Sequence, residues 1–320
     1  MVAPLPRPTV PGIAYRRAIA EDLVACAGIW RDSINDYTRR LNQPDIPDDL
    51  GAILRLYEHL LANDPDGFVV AEQSGEDGAP PVVVAFAASV RREALWFLSM
   101  LFVLPEVQAA GLGRGLLAKV MPRPGEAALA TCTDSLQPIS NALYASLGIA
   151  PRMPLVRLVG LVERDGVMPR LPAGISALPF TALDGPAAAH LDDEITAIDR
   201  ATSGFEHLRD HDFIRREGRT GILFVDGGGR AVGYGYASEA GRVGPVAVLD
   251  PTLLGPVLGN LLTTVVPRGA FGVWMPGAAA DAMTSLLRAG FRIDGFPCLV
   301  CWDGPIADFS RYVPISPGLL

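Results

Sequence analysis

Residues 95–104, LWFLSMLFVL, form an almost unbroken apolar run in which Ser99 is the one clearly polar residue. A strand with one face in water alternates apolar and polar side chains, whereas a strand covered on both faces is apolar throughout. The run is too short to cross a membrane as a helix, which takes about 20 apolar residues. It therefore predicts a central strand in a sheet with helices on both faces.

The segments around this run alternate between strand-like and helix-like patterns. Short apolar or alternating runs, typical of strands, occur at residues 14–19, 67–72, 81–90, 127–133 and 153–162. Apolar residues at helical spacing occur at residues 21–36, 50–61, 112–120 and 135–147. Strands and helices mixed in this way predict an α/β (mixed α+β) fold.

The second half of the chain repeats this order of elements. Between residues 175 and 302 a strand, two helices and a strand pair are followed by strand, helix, strand, helix and strand. Residues 163–174 between the halves show no periodicity and have glycine and proline near their end, which is typical of a linker. We expect a diverged duplication with domains at residues 1–165 and 172–320, each a mixed central sheet flanked by helices.

Composition and charge argue against several classes of partner. The 320-residue chain has a formal net charge of −8, which disfavours nucleic acid. It has no run of 18 apolar residues and starts without the apolar core of a signal peptide, so we expect no membrane partner. The strand-like pattern between Cys298 and Cys301 puts them on opposite faces, which argues against a metal knuckle or a redox pair. We expect a cytoplasmic protein with reduced cysteines.

The apolar run leads into a glycine-rich turn at residues 105–114, after which a helical pattern begins. Backbone N–H groups converge at such a helix N-terminus, and the helix dipole also favours an anion there. Two common phosphate-binding loops do not fit the turn, namely the Walker P-loop and the glycine-rich loop of the Rossmann fold. It has no Gly-Lys-Ser/Thr sequence, and the sixth position from Gly111 is Leu116 rather than glycine.

Five residues in this region match a third pattern, that of an acyl-CoA pyrophosphate loop: Val103, Pro105, Gln108, Gly111 and Gly113. In this pattern the chain resembles the GNAT family of N-acetyltransferases, which use acetyl-CoA as co-substrate. Side chains at the two glycines would keep pyrophosphate oxygens away from the backbone. The resemblance implies that acetyl-CoA is bound through Gln108, Ala109, Ala110, Gly111, Leu112, Gly113 and Arg114.

A second signature lies on the predicted helix after the next strand. The sequence SNALYASLGI, residues 140–149, is similar to a later family motif that ends in Leu-Tyr-x-x-x-Gly-Phe, with Ile149 in place of phenylalanine. The resemblance implies that Tyr144 lies beside the CoA sulfur and acts as general acid to the leaving thiolate. It also implies that Asn141, one turn earlier on the same helix face, contacts the pantetheine or its phosphate.

The chemistry that the resemblance implies needs little from side chains. The central strand carries a bulge, and a backbone N–H near it polarises the thioester carbonyl, as in an oxyanion hole. The donors would be among Leu101, Phe102 and Val103. An amine then attacks the thioester directly, without a covalent enzyme intermediate. Cys132, in a predicted core strand, is therefore interpreted as a buried structural cysteine.

The general base is left open by the sequence. Its candidates are acidic residues near the end of the first helix and residues in or before the central strand, namely Asp32, Asp36, Glu93, Ser99 and Met100. Charges of this kind are also usual on the solvated face of a helix.

The second half lacks both signatures. After Leu249 and Pro251 the sequence TLLGPVLGN contains no Gln/Arg-x-x-Gly-x-Gly pattern, and Pro256 lacks the N–H that a phosphate would need. Leu286 stands where Tyr144 does, four residues before a glycine. The second half is therefore similar to the degenerate C-terminal domain of some tandem GNAT proteins, and we expect one acetyl-CoA per chain.

Two histidines of the second half, His207 and His211, have an i, i+4 spacing that metal ligands can use. The segment lacks a His-Glu-x-x-His sequence and an obvious third ligand. A solvated, charged helix is the favoured interpretation, and we expect no metal.

Together these patterns predict an N-acetyltransferase that transfers the acetyl group of acetyl-CoA to the amine of a small-molecule or peptide acceptor. Because no general base stands out, the alternative is a catalytically silent acyl-CoA-binding sensor or interaction module. Both hypotheses predict acetyl-CoA binding, but only the first predicts turnover with an amine.

Overall fold

The computed structural model describes residues 12–75, 79–108, 110–163 and 167–320. The chain divides into two compact units, the first ending at Leu129 and the second beginning at Ala130. This division precedes residues 163–174, the linker predicted from the sequence. The domain bounds expected from the repeat, 1–165 and 172–320, follow the order of elements rather than compactness, and they stay a prediction.

The first unit contains an antiparallel meander in which each strand pairs with the next. Its strands are β1 (Ile13–Arg17), β2 (Phe68–Gln73), β3 (Val82–Arg92) and β4 (Leu95–Val103). The first six residues of β4 are all buried, although successive side chains of a strand point to opposite faces. Both faces of β4 are therefore covered, as the apolar run predicts.

Helices pack on this meander. They are α1 (Leu23–Arg40), α2 (Gly51–Asn63) and α3 (Leu112–Val120). Both α1 and α3 pack against β3 and β4. Tyr57 of α2 meets Phe68 and Phe86 with ring centroids 5.9 and 5.4 Å apart, in edge-on contacts typical of aromatic cores.

The second unit contains a larger, mixed sheet. Its strands are β5 (Ala128–Asp134, which begins at the boundary), β6 (Ala150–Gly160), β7 (Ser176–Pro179), β8 (Thr220–Val225), β9 (Ala231–Ala237), β10 (Arg242–Val248), β11 (Phe271–Pro276), β12 (Arg292–Ile293), β13 (Cys298–Trp302) and β14 (Tyr312–Val313). They lie in the order β5-β13-β6-β11-β10-β9-β8-β7, with β12 beside β6 and β14 beside β10. β10 and β11 are parallel, and the neighbouring pairs around them are antiparallel.

The position of β13 is not evident from the order of elements. Val300 of β13 pairs with Cys132 of β5 on one side and with Met153 of β6 on the other. The last long strand of the chain thus separates two strands that are consecutive in the sequence. This insertion joins β5 and β6 to the second half and is a physical reason for the early division between the units.

The helices of the second unit surround this sheet. They are α4 (Pro138–Ala145), α5 (Gly185–Ala189), α6 (Leu191–Thr202), α7 (Leu208–Arg216), α8 (Leu254–Thr264) and α9 (Ala280–Arg288). α8 and α9 contribute Val257, Leu258 and Leu286, all fully buried, to the core of this unit. Within the described residues, every helix is too short or too polar to cross a membrane.

Candidate functional site

The central strand of the first unit carries a bulge. Opposite the consecutive residues Ala88 and Ser89 of β3 stand Met100 and Leu98 of β4, so Ser99 is an extra residue on β4. A bulge of this kind bends the strand and interrupts its ladder of hydrogen bonds. The bulge expected in this strand is therefore present, and it lies at Ser99, the one polar residue of the strand.

The register after the bulge determines where the backbone N–H groups of β4 point. The Leu104 N–H bonds to the Val84 carbonyl at 2.9 Å. In an antiparallel pair the bonded and non-bonded residues alternate. The Phe102 N–H is therefore directed at β3, whereas the Leu101 and Val103 N–H groups point away from it. Of the three predicted donors, only Leu101 and Val103 have an N–H group that is not directed at β3.

The turn after β4 is held by side chains that bond to the strand end. The Val103 carbonyl accepts hydrogen bonds from Gln108 Nε2 and from Ser33 Oγ of α1, both at 3.0 Å. The Gln108 amide is therefore engaged with the backbone. Its position in the pattern has a structural reason, and Ser33 is a residue that sequence reasoning missed.

Backbone donors converge where the turn enters α3. Gly111 has φ +89°, a left-handed conformation that favours glycine, and it precedes the first residue of α3. The first helical hydrogen bond runs from the Gly115 N–H to the Gly111 carbonyl at 3.0 Å, so the N–H groups of Leu112, Gly113 and Arg114 lie ahead of it. Ala110 and Arg114 are exposed, and Ala109 lies outside the described residues.

Gly115 is a third glycine of this segment, and it has a packing role that the motif does not indicate. A Cβ atom at Gly115 would lie 2.1 Å from Tyr15 Oη. The Tyr15 phenol, on β1, thus packs directly on the first turns of α3. Burial raises the pKa of Tyr15. The glycine permits the close approach of helix and sheet behind the turn.

The residues of the second signature lie on α4 in the second unit. The Asn141 Nδ2 donates to the carbonyls of Asp134 and Gln137, at 3.0 and 2.9 Å, which identifies the nitrogen of the amide. Its Oδ1 is buried and has no hydrogen-bond partner in the part of the chain that the structure describes. Tyr144 is buried, and burial raises the pKa of its phenol, which is therefore protonated at neutral pH.

The candidate bases are distributed over different surroundings. Asp32 and Asp36 form ion pairs with Arg31 and Arg40 on α1. Glu93 lies in the exposed turn before β4, six residues and therefore about 20 Å from Ser99 along the strand. A direct role of Glu93 at the bulge is thus excluded by distance.

Cys132 has the surroundings of a structural cysteine. Its thiol hydrogen-bonds with Cys298, and this bond together with burial raises the pKa of Cys132 well above its usual range. A thiol with a raised pKa forms little of the thiolate that a nucleophile requires. All four cysteines of the chain are free.

The corresponding strand, turn and helix of the second unit differ in the groups that would meet an anion. β10 is also bulged, but its extra residue lies at Gly244-Pro245, where proline has no N–H. The Asp250 carboxylate accepts bonds from the Thr252 N–H and hydroxyl at 2.9 and 2.7 Å. The backbone N–H of Thr252 lowers the pKa of Asp250, so a negative charge already occupies the start of this helix.

The glycines of α8 serve chain packing. A Cβ atom at Gly259 would lie 2.7 Å from the carbonyl oxygen of Pro169. Leu286, which takes the sequence position of Tyr144, is fully buried in the core of the second unit. The second unit thus has a proline at its strand bulge, an aspartate at its turn and a buried leucine at the position of Tyr144, and its assignment as a degenerate domain stays a prediction.

Comparisons with known proteins agree with this description. The sequence profile of the Acetyltransferase (GNAT) family matches residues 27–149. No curated protein sequence matches the chain.

Among solved structures, a candidate acetyltransferase from Pyrococcus horikoshii is 16% identical and has a TM-score of 0.71, with 97% of this chain and 96% of that chain covered. The GCN5-related N-acetyltransferase from Sphaerobacter thermophilus is 18% identical and has a TM-score of 0.58, with 95% of this chain and 100% of that chain covered. At these identities the likeness shows the fold alone, and it extends over nearly the whole chain. The family match includes β4, the glycine turn and α4, and it shows that residues 27–149 are similar to the GNAT family of acetyltransferases.

Proposed function

We propose that this protein transfers the acetyl group of acetyl-CoA to the amine of a small-molecule or peptide acceptor. The observation that carries the proposal is the row of backbone donors after Gly111, at the end of a bulged strand whose Leu101 and Val103 N–H groups point away from β3. These donors require no side chain, so they suit the binding of pyrophosphate at one end and a carbonyl oxygen at the other.

The glycine turn would bind the pyrophosphate. Oxygens of the diphosphate would accept from the N–H groups of Leu112, Gly113 and Arg114, which precede the first helical hydrogen bond of α3. The helix dipole adds a favourable term at this position. The exposed Arg114 supplies a positive charge beside it. Ala109 and Ala110 would contribute further N–H groups to the same loop.

The acetyl carbonyl would be polarised on β4. The amine nitrogen attacks the thioester carbon, and the negative charge that develops on oxygen is stabilised by the Leu101 or Val103 N–H. The carbon–sulfur bond then breaks and the thiolate takes the phenol proton of Tyr144. The amine loses its own proton to solvent, and water returns a proton to the phenolate. No residue need be acylated in this sequence.

Asn141 would hold the pantetheine arm. Its Nδ2 is engaged with two backbone carbonyls, and its buried Oδ1 is an acceptor that a pantetheine amide N–H can satisfy. A buried acceptor without a partner costs about 1–3 kcal/mol, which such a bond would recover.

The proposal is tested by steady-state kinetics of the full chain with acetyl-CoA and a panel of polyamines, amino acids, aminoglycosides and peptides with a free N-terminus. Thiol release that depends on the amine, together with a mass increase of the acceptor by one acetyl group, supports the transferase. Acetyl-CoA binding without turnover across the panel would instead favour the catalytically silent sensor.

A further inference from the structure

The second unit contains a fully buried cluster of an aspartate and two histidines. Asp199 lies on α6, His207 immediately precedes α7, and His211 lies in its first turns. All three residues have no solvent exposure. The sequence-based interpretation of His207 and His211 as part of a solvated helix is therefore wrong. Their face of α7 is turned inward, which local sequence could not reveal because Asp210 and Asp212 flank them.

The three side chains point potential ligand atoms at one place. Asp199 Oδ2 lies 3.1 Å from His211 Nε2 and 3.4 Å from His207 Nδ1, and the three atoms all lie within 4.8 Å of one another. Ligands that surround one ion tetrahedrally at about 2.1 Å are about 3.4 Å apart. The two separations from Asp199 are close to that size, and the one to His211 is a direct hydrogen bond that a bound ion would replace.

The opposite sides of these groups are held by tyrosines. The other nitrogen of His211 lies 3.1 Å from Tyr236 Oη, and that of His207 lies 3.5 Å from Tyr312 Oη. Tyr234 Oη donates to Asp199 Oδ1. Each potential ligand thus has an outer partner that orients it and leaves Nδ1 of His207, Nε2 of His211 and Oδ2 of Asp199 facing inward. Outer hydrogen bonds of this kind are usual around metal-binding histidines.

In the first unit, α1 and α2 also pack on β3, and the fully buried side chains there are mostly aromatic. There Cys26 of α1 and Tyr57 of α2 are fully buried with Phe68 and Phe86. Packing of two helices on a sheet therefore does not require an acid and two imidazoles. A buried carboxylate is costly unless a positive charge compensates it, and a divalent cation provides that charge.

We propose that Asp199, His207 and His211 bind one divalent transition-metal ion of the zinc class. Two imidazole nitrogens and one carboxylate oxygen form a ligand set that suits zinc, cobalt or ferrous iron better than calcium or magnesium. The ion would fasten α6 and the start of α7 to β9, where Tyr234 and Tyr236 lie. None of these residues belongs to the proposed acetyl-CoA site, so the inference is independent of the proposed function.

The test is a titration of the chelator-treated full-length protein with Zn²⁺ and, separately, with Co²⁺. We expect one equivalent of either ion to bind and to raise the melting temperature. Bound Co²⁺ should show visible d–d bands without the intense near-ultraviolet band of a thiolate ligand. Failure of the native protein to bind one equivalent, or a thiolate band that assigns the ion to cysteine, would overturn the proposal.

Variants locate the ion. His211→Gln and Asp199→Asn should each abolish stoichiometric binding, whereas His190→Gln, at an exposed histidine of the same unit, should bind like the native protein. Tyr236→Phe keeps all three ligands and removes one outer partner, and we expect about 10- to 100-fold weaker binding. This variant also serves if the ligand variants fail to fold. Unchanged affinity in Tyr236→Phe, or zinc retained by folded His211→Gln, contradicts the assignment.

Discussion

The Gln108 side chain donates a hydrogen bond from Nε2 to the backbone carbonyl of Val103 at 3.0 Å. The bond closes the turn between the end of β4 and the start of the donor loop. Gln108, the most distinctive side chain of the loop pattern, therefore stabilises the turn. The predicted anion-binding groups are backbone N–H groups. This distinction determines which substitutions at position 108 should be tolerated.

Gln108→Glu should weaken acetyl-CoA binding by at least about tenfold, because the carboxylate cannot donate to Val103 and brings a negative charge to the loop. Gln108→Arg retains a donor and should bind within a few-fold of the native protein. Since the bond is exposed, neither change should lower the free energy of unfolding by more than about 1 kcal/mol. Isothermal titration calorimetry and denaturant unfolding measure both quantities. Equal affinity of the Glu and native proteins would remove Gln108 from the loop.

Gly111→Ala should abolish measurable acetyl-CoA binding, because a side chain there strains the left-handed backbone and stands among the donors. The matched control is Gly125→Ala, since Gly125 has φ +84° and open space around its Cβ position. Both variants should lose about 1 kcal/mol of stability from the backbone alone. Binding that falls equally in both variants would show that the loss reflects strain, and binding that falls in neither would remove Gly111 from the proposed acetyl-CoA site.

Tyr144→Phe should lower kcat by about 10²- to 10⁴-fold, the usual contribution of a positioned general acid, with little change in KM for acetyl-CoA. Because burial raises the pKa of Tyr144, its phenol stays protonated to above pH 10, its ordinary value. The native enzyme should therefore show no alkaline loss of kcat from this group below about pH 10. A kcat of Tyr144→Phe within threefold of the native value would refute the acid role.

The intact chain should bind one equivalent of acetyl-CoA. In the second unit the Thr252 N–H is already bonded to the Asp250 carboxylate, and Pro245 supplies no donor at the bulge of β10. Calorimetric titration of the full chain gives the stoichiometry directly. Two equivalents, or one equivalent that survives Gly111→Ala, would place a site in the second unit.

Asp22 should stabilise the first unit in a pH-dependent way. Burial alone would raise its pKa, but bonds from Arg16 at 2.6 and 2.8 Å and from the Ile19 N–H at 2.8 Å bring it below its usual value. A lowered pKa in the folded state gives stability that is present above the unfolded pKa, near 4, and is lost as the pH falls through the folded one.

Asp22→Asn should therefore cost about 1.5–3 kcal/mol at neutral pH, the usual worth of hydrogen bonds to a charged group, and should flatten the acid side of the stability curve below about pH 4. The control is Asp66→Asn, because the pair of Asp66 with Arg17 is exposed on both sides and is worth at most about 1 kcal/mol. Urea unfolding between pH 2 and 7 provides the comparison. Parallel stability curves for the native and Asp22→Asn proteins would contradict the argument.

The sequence by itself determined the local parts of this protein. The apolar run forms β4, residues 112–120 form α3, and Gly111 of the predicted glycine turn has a left-handed conformation, which glycine adopts readily. These features follow from side-chain periodicity and from backbone conformations that single residues favour. They can therefore be predicted from a short window of sequence. The absence of the Gln/Arg-x-x-Gly-x-Gly pattern from the second half is evident from the sequence for the same reason.

Tertiary structure alone decided which distant segments meet. β13 lies between β5 and β6, the donors of β4 depend on its register with β3, and His207 and His211 are buried against Asp199. Strand pairing and burial are set by surfaces that arrive from far along the chain, and neither hydrophobic periodicity nor residue spacing encodes them. A histidine flanked by aspartates is predicted from sequence to be solvated, and only the packing of a sheet and a helix against it shows that it is buried.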